Sequence, residues 1–107
     1  MYEMYDENLF SARLAQLRNC KGVSARDMSL SIGQSENYIN NIENKRALPS
    51  MMGFFYICEY LDVSPTEFFD EENKDPKMLE GLVADLKKLD RDSMELISAL
   101  VKKLGAG

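Results

Sequence analysis

Before residue 70, apolar side chains return at three- and four-residue intervals in short bursts, each bounded by residues that start or stop helices. Phe10, Leu14 and Leu17 share one face of a first helix that Asn8 can cap, that runs to about Asn19 and that ends at Lys21 and Gly22. Ser24 caps a second helix, with Asp27 at its third position as a short capping box and Met28 and Ile32 as its inward stripe. Gly33 stops that helix in the left-handed conformation glycine adopts most cheaply. Ser35 then caps a third helix, whose inward Ile39 and Ile42 leave Glu36, Asn37, Asn40 and Asn41 pointing elsewhere. Leu48-Pro49-Ser50 opens a fourth, burying Phe54, Ile57, Cys58 and Leu61. Ser64-Pro65-Thr66-Glu67 joins an N-cap, a first-turn proline and a capping glutamate, and so begins a fifth that carries Phe68 and Phe69.

The pattern changes after residue 70. Residues 71–75 are polar and charged and read as a linker between a domain at 1–70 and an extension at 76–107. In the extension Leu79, Leu82, Leu86 and Leu89 are spaced three, four, three, the narrow seam of a coiled-coil helix. Asp90 or Asp92 starts a last helix bearing Leu96, Ile97, Leu100, Val101 and Leu104, with Lys102 and Lys103 at its negative end. These two helices form a predicted hairpin. Sixty to seventy residues already complete the preceding core, so the nine apolar side chains are assigned to pairing with a second copy of the chain. The alternative is that the hairpin folds back over Phe68 and Phe69.

Composition agrees with an all-α class, since Leu, Met, Ala, Lys and Glu outweigh Val, Ile and Thr. No stretch approaches the roughly 20 apolar residues of a spanning helix, and the N-terminus MYEMYDENLF is acidic where an export signal is basic and then apolar, so a cytoplasmic protein is expected. Cys20 and Cys58 lie in apolar-periodic segments without metal-ligand spacing and read as buried reduced thiols; no metal and no cofactor are expected. Histidine is absent, and neither a glycine-rich phosphate loop nor a nucleophile motif occurs, so an enzyme is not expected. Met51 and Met52 read as gap fillers, Tyr56 and Tyr60 as surface-edge packing, and no small-molecule ligand is indicated.

The segments RLAQLRNCKGVSARDMSLSIG, QSENYINNIENKRALPS and GFFYICEYLDVSPTEFF follow the helix order and turn residues of a known family. Residues 9–69 resemble the XRE-type, Cro- and phage-repressor-like helix-turn-helix regulators. The resemblance implies a five-helix lambda-repressor-like DNA-binding domain, ahead of the C-terminal hairpin. In that family the third helix enters the DNA major groove, its first residues reading base edges. By position Glu36, Asn37 and Asn41 become base readers, with Asn40 a neighbouring candidate; asparagine can pair bidentately with adenine and glutamate can accept from cytosine. Ser35, Tyr38, Asn44, Lys45 and Arg46 then fall near phosphates. Ser29 is small where the second and third helices must approach closely. Arg18 and Glu43 occupy the positions of a structural ion pair between the first helix and the end of the third. Ala25 stands where the family commonly carries a phosphate-contacting glutamine.

The expected partners are therefore double-stranded DNA and a second copy, and the expected function is sequence-specific transcriptional regulation, a repressor binding two half-sites. A rival from another class is a protein-interaction module of the same fold that binds another regulator. Its support is charge: the chain carries a net −5, residues 1–70 hold ten acidic against six basic side chains, and between 24 and 50 Arg26, Lys45 and Arg46 are balanced by Asp27, Glu36 and Glu43.

Overall fold

A computed structural model describes residues 6–106; the first part of the acidic N-terminus, Met1–Tyr5, lies outside them. The described residues form seven helices and no strand: α1 (Glu7–Lys21), α2 (Ala25–Ser31), α3 (Tyr38–Glu43), α4 (Met51–Leu61), α5 (Pro65–Phe69), α6 (Pro76–Leu86) and α7 (Arg91–Ala106). The chain is all-α, and it divides into two compact units between Pro76 and Lys77.

In the first unit, serines start three helices. Ser24, Ser50 and Ser64 accept hydrogen bonds from the backbone N–H groups of Asp27, Gly53 and Glu67, and at Ser64 the Glu67 carboxylate completes a reciprocal capping box. Two expected caps differ. Asp6, not Asn8, caps α1 by accepting from the Leu9 N–H at 3.0 Å, so the helix starts at Glu7, about half a turn earlier than expected. Ser35 does not cap α3 either: its carbonyl accepts from the Tyr38 N–H in a turn, and the helix begins only at Tyr38. The capping acceptor comes instead from α2. The buried Ser29 hydroxyl donates to the Ala25 carbonyl at 2.7 Å and accepts from the Ile39 N–H at 2.9 Å, satisfying a donor that a helix start leaves open.

The ends of α2, α3 and α4 share one closure, in which a residue with positive φ turns the chain and the next N–H reaches back five residues. Gly33 (φ +77°) is followed by Gln34 N–H to Ser29 O, Lys45 (φ +63°) by Arg46 N–H to Asn41 O, and Asp62 (φ +58°) by Val63 N–H to Cys58 O. Only the first of these turns uses glycine.

Leu14, Leu17, Met28, Ile39, Ile42, Phe54, Ile57, Cys58, Leu61, Val63 and Phe68 form the core. Phe68 anchors it, with its ring edge-on to Phe54 at 5.1 Å and tilted against Phe10 at 5.0 Å. Two polar side chains are built into this interior. Arg13, 2% exposed, donates through its guanidinium to the carbonyls of Glu67 and Phe68 and to Gln16, closing the end of α5. Ser11 donates to the Ile42 carbonyl at 2.9 Å, fastening α1 to α3. Residues 71–75 belong with this unit, where Pro76 is buried and the Cys20 thiol donates to the Lys74 carbonyl at 3.2 Å. Of the two cysteines expected to be buried only Cys58 is; Cys20 is exposed, because it lies off the inward face set by Leu14 and Leu17.

The second unit holds most of α6 and all of α7. Asp90 caps α7 by accepting from the Ser93 N–H at 2.8 Å, and that bond holds its carboxyl below the usual range. Leu79, Leu82, Leu96, Ile97, Leu100, Val101 and Leu104 are exposed along the two helices, as are Met78, Val83 and Met94, and Leu86 is half-buried; α6 ends at Leu86, so the exposed Leu89 lies in the turn before α7 and not on the helix expected to carry it.

Candidate nucleic-acid interface

The short helix α3 is placed from beneath and from both ends. Ile39 and Ile42 plug its inner side into the core, Ser29 caps its start, and Arg18 holds its end. The last contact is a bidentate pair: Arg18 Nε and its second terminal nitrogen meet the two Glu43 oxygens at 2.7 and 2.9 Å, while the remaining guanidinium nitrogen donates to the Val23 carbonyl at 2.8 Å. The Glu43 hydrogen bond and charge raise the Arg18 pKa, outweighing burial, so the arginine stays charged throughout the working pH range.

With its inner side fixed, α3 and its approach expose Ser35, Glu36, Asn37, Asn40 and Asn44, and half-expose Tyr38 and Asn41. Asn37 precedes the helix and makes no side-chain capping bond to it. Asn40 and Asn44 clasp each other, Asn44 Nδ2 donating to the Asn40 side-chain oxygen at 2.9 Å and to its carbonyl at 2.7 Å. The Tyr38 hydroxyl lies over α4 at Gly53, where an added Cβ would come within 2.6 Å of it, and burial raises its pKa. Glu36 is ion-paired with Arg26 of α2 at 2.9 Å, both side chains open to solvent. Lys45 and Arg46 are exposed just beyond the helix, and no ion pair among the described residues holds either one.

This arrangement changes the charge balance that the sequence suggests. Of the three acids between 24 and 50, Glu43 is turned inward and neutralised by Arg18, which lies outside that window, and Glu36 is neutralised by Arg26. The exposed cations Lys45 and Arg46 therefore face only Asp27 as an exposed acid without an ion pair in that window. Polar amides with basic groups beside them can hydrogen-bond base edges and meet phosphates, whereas no group of three or more potential metal ligands occurs among the described residues. No described helix is long and apolar enough to cross a membrane.

Some features carry no periodic signal and are evident only in three dimensions. Ser29, Ser11 and Arg13 bond to backbone groups, which have no residue identity to match. The Arg26–Glu36 pair joins two elements ten residues apart. Met51 and Met52 do not fill gaps: both are exposed, forming with Phe55 and Tyr56 an apolar outer face on α4. Tyr60 is half-buried beneath the Lys21 ammonium, 4.8 Å from its ring centre.

Two helices joined by a tight turn, the second seated on the first through a buried serine and exposing its polar face, define a helix-turn-helix protein. A family model described as a helix-turn-helix domain matches residues 12–74, and the chain belongs to that family. No curated protein and no solved structure matches it significantly.

Proposed function

We propose that the protein is a cytoplasmic, non-enzymatic, sequence-specific DNA-binding transcriptional regulator of the XRE type, a repressor that acts as a homodimer. The observation that carries this reading is the outer side of α3, where amide side chains stand free of the core beside two cations that no acid neutralises. Asn37 and Asn41, with Glu36 and Asn40, read base edges; Ser35, Asn44, Lys45 and Arg46 meet phosphates, and Tyr38 braces the helix at the same edge. The second unit supplies the pairing. Its exposed leucines continue along both helices, a stripe larger than soluble monomers ordinarily leave open, and a second copy covers it in a four-helix arrangement. Two-fold symmetry then presents two α3 helices to half-sites about 34 Å apart.

Selection from a random duplex pool at low salt tests the reading. A recovered two-half-site sequence, bound less tightly by the Asn37→Ala and Asn41→Ala variants at one base pair each, is the expected result. Failure to enrich any duplex would refute it.

A second reading, binding of another regulatory protein, is favoured by the apolar outer face of α4 at Met51, Met52, Phe55 and Tyr56. Substituting Phe55→Ser leaves the activity in cells unchanged under the first reading and removes it under the second.

A further inference from the structure

We infer that the Arg26–Glu36 ion pair is a selectivity device: Glu36 withholds Arg26 from phosphate until a base pair offers the carboxylate an exocyclic amino group, that of cytosine, to accept from. The inference rests on the DNA-binding reading of α3. Arg26 lies in the first turn of α2 and Glu36 in the turn before α3, so the pair spans the two elements at the entrance of the helix that meets DNA. Its geometry is close, 2.9 Å, but the side chains are 67% and 51% exposed, and an exposed pair of this kind is weak enough to exchange partners readily.

Exchange has unequal consequences on different sequences. Transfer of Arg26 to a phosphate leaves Glu36 as a bare anion beside a polyanion. Asp27, the next residue to Arg26, adds to that repulsion, and Arg18 cannot relieve it because it is committed to Glu43. On a sequence without a suitable donor, the pair therefore stays closed and contributes no net attraction. Where a cytosine N4 amino group reaches Glu36, the carboxylate is satisfied by the base and Arg26 is released to the backbone. One base contact and one phosphate contact form together, so a phosphate contact, ordinarily blind to sequence, becomes conditional on it.

The full chain and the variants Glu36→Gln, Arg26→Ala and the double substitution test this by anisotropy titration on random and selected duplexes between 50 and 200 mM salt. Both side chains are exposed, so circular dichroism should show every variant folded. Glu36→Gln should bind random duplex more tightly at low salt, steepen the dependence of log K on log salt by about 0.9 per subunit bound, the value of one phosphate, and lose roughly tenfold preference for cytosine at one position of each half-site. Arg26→Ala added to Glu36→Gln should remove the steepening. A wild type that binds while Glu36→Gln leaves the slope unchanged overturns the device alone, as does a steepening that survives in the double variant, which would make it bulk charge. A wild type that retains no duplex at 50 mM salt overturns the device together with the DNA-binding reading.

Discussion

Removing Glu43 should loosen α3 from the rest of the first unit. In Glu43→Ala, Arg18 loses two charge-assisted hydrogen bonds and keeps only the Val23 carbonyl. The guanidinium is 16% exposed and its partner 13%, so the orphaned charge is mostly but not wholly out of water. Breaking a fully buried pair costs about 3–5 kcal/mol and an exposed one about 0–1 kcal/mol. At these exposures a loss of about 2–3 kcal/mol follows, which for a unit of this size lowers the melting temperature by roughly 10–20 °C. Tyrosine fluorescence isolates the relevant unit, since no tyrosine lies beyond Tyr60. Urea titrations of wild type, Glu43→Ala, Arg18→Ala and the double variant give a coupling energy. The double variant should be more stable than the sum of the single losses implies. A Glu43→Ala loss below about 0.5 kcal/mol, the range of an ordinary surface change, would mean that water already solvates Arg18 and that the pair does not seat α3.

Four further outcomes are expected. Ser29→Ala strands the Ile39 N–H in the interior and should cost about 1–3 kcal/mol in the same titration, while an unchanged midpoint would show α3 capped by other means. Lys45→Gly should stabilise the fold by up to about 1 kcal/mol, because a side chain now occupies a left-handed position, yet weaken all duplexes alike and flatten the salt dependence; discrimination lost at a single base pair would make Lys45 a base reader. Cys58 is buried and its thiol is pushed up from 9.0 to about 11, so its contribution to stability is intact below pH 9 and falls as pH rises toward 11; at pH 8 only Cys20 should react quickly with a thiol reagent, and two fast equivalents would place Cys58 outside the core. Truncation after Pro76 should give a folded monomer, and Leu86→Asp with Leu100→Asp should do the same in the full chain; a wild type that sediments as a monomer at tens of micromolar would overturn the pairing.

What the sequence discloses here follows from where a signal is stored. Ser24, Ser50 and Ser64 each bond to a donor three residues on, so their capping role is local and readable, and the spacing of Phe54, Ile57, Cys58 and Leu61 states which side of α4 is inward. Ser35 misleads because it has the chemistry of a cap while the acceptor α3 uses sits on α2, at Ser29. The closure after α3 is also hidden: Lys45 takes a turn position where glycine would announce the helix end, as Gly33 does after α2. Charge is the least readable property. Counting acids and bases over residues 24–50 yields a balance, and the balance dissolves once Glu43 faces inward to an arginine six residues outside that window.

The same redistribution fixes what kind of DNA binding this surface can support. Lys45 and Arg46 are the exposed cations beside α3 that the fold leaves without an acid, which allows about two phosphate contacts per copy. Between 50 and 200 mM salt two contacts change affinity only about tenfold, against roughly 10³–10⁵ for a protein making six to ten. A net charge of −5 further opposes accumulation on DNA of arbitrary sequence. Affinity must therefore come from base contacts, each contributing about 1–3 kcal/mol, and a helix of six residues offers few of them. One copy on one half-site is consequently weak. Joining two copies makes the second half-site an intramolecular event at an effective concentration in the millimolar range, which raises avidity by about 10²–10⁴ without adding a basic residue. On the proposed reading, occupancy of an operator rests on pairing through the second unit, and loss of pairing should abolish operator binding at physiological salt even where every residue of α3 is intact.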